Sequence, residues 1–127
     1  MAKGYNANQE HLAEINRLGK ELAKRSGFRC EWCESKDDLR TWDQAPDSEP
    51  ELATLALLCG RCRQLAAGAA ADPNELHTLR NAIWSDIPAV AEGVAQVLIR
   101  SRQPWVREAI EESLIDENTK ARLLAML

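Results

Sequence analysis

Positive charge is in short supply: sixteen lysines and arginines face twenty aspartates and glutamates, for a net charge of −4. Nothing broad offsets phosphate repulsion, so general nucleic-acid binding is disfavoured and only a local basic patch would allow it. Histidine is limited to His11 and His77, and neither has a spacing to the cysteines that suits a shared metal. Long apolar runs are missing as well. No stretch approaches the ~18 residues that span a bilayer, so no membrane partner is expected. The start, MAKGYNANQEHLAEINRLGKELAK, is too charged for the apolar core of a secretory signal, and the expected compartment is the cytoplasm. Aromatic residues are few, yet four of the six are tryptophans: Trp32, Trp42, Trp84 and Trp105.

What is present is enough for a core. The chain has 127 residues, 45% of them apolar, which suits one compact domain or two small ones sharing a core. Four cysteines stand out: Cys30, Cys33, Cys59 and Cys62, in a Cys-x-x-Cys, twenty-five residues, Cys-x-x-Cys pattern. Two residues between paired cysteines let both sulfurs meet one ion. Two such knuckles supply four thiolates, a set suited to tetrahedral Zn²⁺ with Zn–S near ~2.3 Å. In a reducing compartment this pattern points to metal before disulfides. Iron on four thiolates is the chemical alternative, and redox dithiols are a third. Four cysteines also close the coordination shell, whereas a catalytic zinc keeps a position for water.

Along the chain, residues 8–26 read as an amphipathic helix with Leu12, Ile15, Leu18 and Leu22 inward, stopped by Gly27. Leu39–Trp42 reads as a short strand, and residues 44–51 as loop. Leu52–Leu58 is an apolar run whose period does not separate strand from helix. The text from Arg63 through Ala71 reads as helix, broken at Asp72-Pro73-Asn74. A short helix follows over 75–84, with Leu76, Leu79 and Ile83 inward. Ser85 or Asp86 is expected to cap a helix over 88–101 with Pro88 in its first turn and Val90, Val94, Val97 and Leu98 buried. Pro104 opens a further helix carrying Val106, Ile110 and Leu114. Asp116 caps the last one, with Leu123, Leu124 and Leu127 apolar.

A knuckle, a β-hairpin and a second knuckle at a helix start describe a treble clef. The expected fold is thus α+β, mostly α: a treble-clef-like zinc knuckle with a short hairpin over 28–71, flanked by an N-terminal helix and a helical bundle over 74–127. Residues 1–127 are expected to form a single domain, and the N-terminal helix can pack on either part.

His-Asn-His nucleases use a similar frame, with a histidine at the end of the first strand as general base. Here that position reads Trp42-Asp43-Gln44, and glutamine has no useful pKa for the task. The helix after Cys62 offers Arg63 and Gln64, with no histidine or asparagine. Asp43 alone would hold Mg²⁺ only weakly. A degenerate nuclease is therefore the alternative, and a non-enzymatic zinc-binding module is the leading expectation, with a protein or nucleic acid as its undetermined partner. The candidate partner surface is Arg29, Trp32, Arg61 and Arg63. The plainer reading is that the arginines offset the charge of a zinc–thiolate centre and that Trp32 shields its sulfurs. Trp42, Trp84 and Trp105 are expected in the core.

Several stretches together resemble the PhnA-type proteins: Arg25-Ser26-Gly27 ahead of Cys30-Glu31-Trp32-Cys33, Leu39 through Pro46, Leu58-Cys59-Gly60-Arg61-Cys62, Trp84-Ser85-Asp86-Ile87-Pro88-Ala89-Val90, and Ile115-Asp116-Glu117-Asn118-Thr119. The resemblance covers roughly residues 22–125, and the Trp-Ser-x-Ile-Pro-Ala-Val stretch is its most particular part. It implies a zinc-binding domain of poorly defined biochemical role. Such proteins continue into a small β-rich C-terminal domain, and a text ending at Leu127 is expected to be a stand-alone or divergent member.

Overall fold

The computed structural model describes residues 2–127, with side chains described from residue 9 onward except that of residue 11. Six α-helices and one two-stranded antiparallel sheet make up the described residues. No described helix is long and apolar enough to cross a membrane.

Helix α1, Ala2–Ser26, is longer than the expected 8–26. Its last turns follow the sequence pattern: Leu18 and Leu22 are buried. Leu12 is 48% exposed, because α1 meets the strands only near its C-terminal end. The helix stops through a Schellman turn. Phe28 N–H donates to Ala23 O (2.9 Å) and Gly27 N–H to Lys24 O (3.3 Å), with Gly27 at φ +67°.

Strand β1, Arg40–Asp43, pairs with β2, Leu55–Leu58, in the register Arg40↔Leu58 to Asp43↔Leu55. A 3₁₀ turn at Leu52–Thr54 takes the first part of the apolar run. Every residue of β2 is buried, whereas β1 is half-buried. Two faces of β2 therefore serve two clusters. Leu55 and Leu57 meet Leu18 and Leu22 of α1, while Ala56 and Leu58 join the larger core. This division explains a run without alternation: both sides of the strand are covered.

Helix α2, Gly60–Ala66, ends earlier than the expected Ala71. Gly68 at φ +115° and the Ala69 N–H turning back to Gln64 O (3.0 Å) close it, so backbone geometry overrides the alanines' helix propensity. Helix α3, Pro73–Ala82, starts at the residues expected to be a break. Asp72 caps it: its Oδ1 accepts from Glu75 N–H (2.8 Å), and Pro73 takes the first turn, where it costs nothing.

Helix α4, Pro88–Ser101, buries Val90, Val94, Val97 and Leu98 as the spacing predicts. Neither Ser85 nor Asp86 caps it: Ile87 is the N-cap, and Ser85 Oγ accepts the Ile87 N–H (3.0 Å) one step earlier. Helix α5 covers Val106–Glu112 and α6 covers Glu117–Leu124, the latter capped by Asp116 accepting from Thr119 N–H (3.0 Å). Leu114, expected inward, is 63% exposed. The helix ends before it, and Ser113 and Ile115 take the buried positions on either side. Leu127 is likewise exposed.

One buried cluster runs from Cys30 and Trp32 through Leu58, Cys62 and Leu65 to α4, Ile110 and Leu123. Helix α4 is its axis, packed against β2, α2, α3, α5 and α6.

Candidate metal centre

The four cysteines come from two turns that the fold holds face to face. Cys30 and Cys33 lie on the loop after α1. Its turn is closed by Glu34 N–H donating to Cys30 O (2.9 Å) and Cys30 N–H to Ser35 O (2.8 Å), with Glu34 at φ +68°. Cys59 and Cys62 lie at the junction of β2 and α2. Cys59 is the N-cap of α2, and its Sγ accepts the Cys62 N–H (3.4 Å).

All four Sγ atoms lie within 4.8 Å of one another, and Cys33 Sγ is 3.6 Å from Cys59 Sγ. Tetrahedral ligation at ~2.3 Å places sulfurs about 3.8 Å apart, so the cluster has the dimensions of one thiophilic dication's shell. Cys30, Cys59 and Cys62 are buried, and Cys33 is half-buried. None is in a disulfide.

The thiols share protons unevenly. The Cys62 thiol hydrogen-bonded to Cys30 holds the Cys30 thiol down to about 5, against the pull of burial. That same bond to Cys30, with burial, pushes Cys62 upward. Burial pushes Cys33 up to about 12. Crowded thiolates repel, and the negative charge of Cys30 adds to the upward push on Cys33 and Cys62. A dication at the centre removes that conflict and favours four thiolates.

Three charged clamps hold this region. Arg25, at the end of α1, makes a fork–fork pair with Glu31 (2.7 and 2.9 Å) and donates to Leu52 O and Leu55 O. Glu31 in turn accepts Leu57 N–H (2.9 Å) and gives its own N–H to Leu57 O (2.8 Å). The first knuckle is thereby sewn to β2. Across the centre, Arg63 donates to Asp38 Oδ2 (2.6 Å), Asp38 O and Leu58 O. Arg61 reaches Glu75 (2.7 and 2.9 Å), Gln64 and Ala70 O, tying α2 to α3. The Arg61 guanidinium holds the Glu75 carboxyl down to about 2.

These contacts revise the candidate partner surface. Arg61 and Arg63 are committed to internal carboxylates and carbonyls. Trp32 is 3% exposed and has no free face for a base or a partner. It packs edge-to-face on Trp42, with ring centroids 5.4 Å apart. Both rings lie on Gly93 of α4, where an added Cβ would fall 2.7 Å from Trp32 Cζ2 and 3.0 Å from Trp42. Arg29 alone of the four is exposed with its guanidinium making no ion pair among the described residues, and Phe28 beside it is 65% exposed. Trp105 is half-buried under Arg80, whose guanidinium carbon is 4.8 Å from its ring. Trp84, expected in the core, is 51% exposed: Ile83 takes the inward position, and the next residue points some 100° away.

At the strand end, Gln44 N–H donates to Thr54 O (2.9 Å) and its amide to Glu92 of α4 (3.2 Å). Burial pushes the Glu92 carboxyl upward. The place of a nuclease's general base is thus a hydrogen-bonded link between sheet and helix. Sequence spacing points to all four sulfurs, but nothing in it marks the carboxylates that anchor the arginines. Comparison with protein-family models, with curated proteins and with solved structures yields no match to this chain.

Proposed function

We propose that this chain is a non-enzymatic zinc-binding module of PhnA-like, treble-clef type, whose ion fixes a surface for a protein or nucleic-acid partner. The observation that carries the reading is the convergence of four cysteine sulfurs, three of them buried, on one point between two knuckles. Sulfur softness and tetrahedral spacing favour Zn²⁺, and four thiolates leave no position for a reactant. The order of elements supports a treble clef: knuckle, two-stranded hairpin, then a knuckle leading into a helix. The ion's work is structural. It joins the loop after α1 to the start of α2, on either side of a sheet of only two four-residue strands.

The surface best placed for a partner is the outer side of the first knuckle, where Phe28 and Arg29 are exposed. Charge reversal at Arg61 or Arg63 would break internal clamps, so Arg29→Glu and Phe28→Ala are the informative substitutions. Both are expected to keep zinc content and thermal midpoint while weakening whatever protein or nucleic acid co-purifies with the chain. Undiminished association in both variants would remove this surface from the account.

A further inference from the structure

Cys33 is the one half-buried member of the cluster. A groove of about 290 Å³ between α2 and α3 opens onto it; Cys33, Cys62, Thr78 and Leu79 are among its lining residues, and so is the Arg61–Glu75 pair. The other three cysteines are buried, Cys62 forming part of the groove wall, and Cys59 Sγ lies 3.6 Å from Cys33 Sγ as its neighbour from the opposite knuckle. An entry that admits a small molecule to one sulfur, with a second sulfur at bonding reach, is the geometry of an attacking and a resolving cysteine.

We infer that Cys33 is an oxidation site for small peroxides, and that its oxidation releases the metal through a Cys33–Cys59 disulfide. The inference rests on the zinc reading above. The chemistry balances with hydrogen peroxide as oxidant. The Cys33 thiolate attacks one peroxide oxygen: an S–O bond forms, the O–O bond breaks, and the departing hydroxide takes a proton to become water. Cys33 is then a sulfenic acid, a poor metal ligand. The Cys59 thiolate attacks its sulfur, forming S–S and expelling a second hydroxide, which is protonated to water. Two thiolates, one peroxide and two protons give one disulfide and two waters, with two electrons passing from sulfur to oxygen. Two of the four donors are consumed, so the ion leaves. Because the new bond joins the two knuckles rather than closing either one, it holds the halves of the cluster together for re-reduction.

The test starts from purified protein with its metal content measured. Hydrogen peroxide is added with a chromophoric zinc chelator present, free thiols are alkylated at intervals, and disulfides are mapped by peptide mass spectrometry. The expected result is release of the bound zinc in step with a first disulfide between Cys33 and Cys59, reversed by a thiol reductant and added zinc. Retained zinc, or a first bridge between any other pair, overturns the inference. Protein isolated without metal overturns the zinc reading and this inference with it, whereas bound zinc that resists peroxide overturns this inference alone. Cys33→Ser is a poor sole control, since it removes a ligand. Thr78→Trp fills the groove without removing a ligand, and is expected to keep zinc stoichiometry while slowing release about fivefold or more. Release at the original rate from a Thr78→Trp protein of native fold contradicts the groove as the route.

Discussion

The two parts of the molecule on either side of α2 are held by different physics. Residues 28–66 contain two four-residue strands, four clustered thiols and the Arg63–Asp38 clamp, and Glu31 among them is gripped by Arg25 of α1. Residues 73–127 contain four helices around the apolar stripe of α4, where Val90, Val94, Val97 and Leu98 are 4% exposed or less. The first part is positioned by apolar burial of β2 and Trp32, by charge and, on the proposed reading, by metal. The second is positioned by close packing. They meet where Trp32 and Trp42 lie on Gly93. The lesson is that a small sheet whose inner strand is buried on both faces can be fixed further by converging donors, provided a packed helix supplies its floor.

Removing the metal breaks the comparison most severely. Zinc binding supplies on the order of 10–16 kcal/mol to small domains, and Cys59→Ser deletes one donor while keeping a side-chain acceptor at the α2 N-cap. Chelation or Cys59→Ser is expected to abolish hydrogen-exchange protection over 28–66 while α3–α6 keep part of their helical signal. Native protection in the knuckles after chelation would contradict the division.

Truncation on the other side should act in the opposite sense. Leu98 is fully buried on α4. Leu98→Ala is expected to cost about 2–5 kcal/mol, read as a lower denaturation midpoint, with metal stoichiometry unchanged in the folded protein. The seam comes next. Gly93→Ala puts a methyl group into the two indoles, with an expected loss of about 1–3 kcal/mol by overpacking and an altered tryptophan fluorescence. A neutral Gly93→Ala would mean that the two parts touch more loosely than described.

The smallest effect belongs to the Arg61–Glu75 clamp. Glu75 is held down to about 2, below its usual 4.5, so its contribution to stability is complete above 4.5 and fades as pH falls toward 2. Both side chains are partly exposed, which keeps the contribution small. Thermal midpoints of wild type and Glu75→Gln should differ at pH 7 and converge as the solution is acidified through that window. A difference that grows on acidification would reverse the assigned sign.

Local patterns made much of this fold legible. The Cys-x-x-Cys spacings located the sulfurs. The 3.6-residue period located the α4 stripe, and the alternation before Asp43 located β1 within one residue. What stayed hidden depends on partners distant in sequence. Glu31 looks like any surface acid until Arg25 folds back onto it, and nothing in Arg61 or Arg63 names Glu75 or Asp38. Trp32 lies buried, as the plainer reading has it, because Gly93, some sixty residues away, leaves room for its indole, whereas Trp84 departs from its expected core place because α3 ends before it can turn inward. The alanines after Ala66 favour helix, yet Gly68 turns the chain away.

The central claim is that four cysteine sulfurs enclose one metal ion. Elemental analysis of protein purified without added metal, followed by X-ray absorption at the zinc edge, tests it directly. The account predicts one zinc per chain surrounded by four sulfurs at ~2.3 Å. No stoichiometric metal, or a shell containing nitrogen or oxygen in place of sulfur, would contradict it.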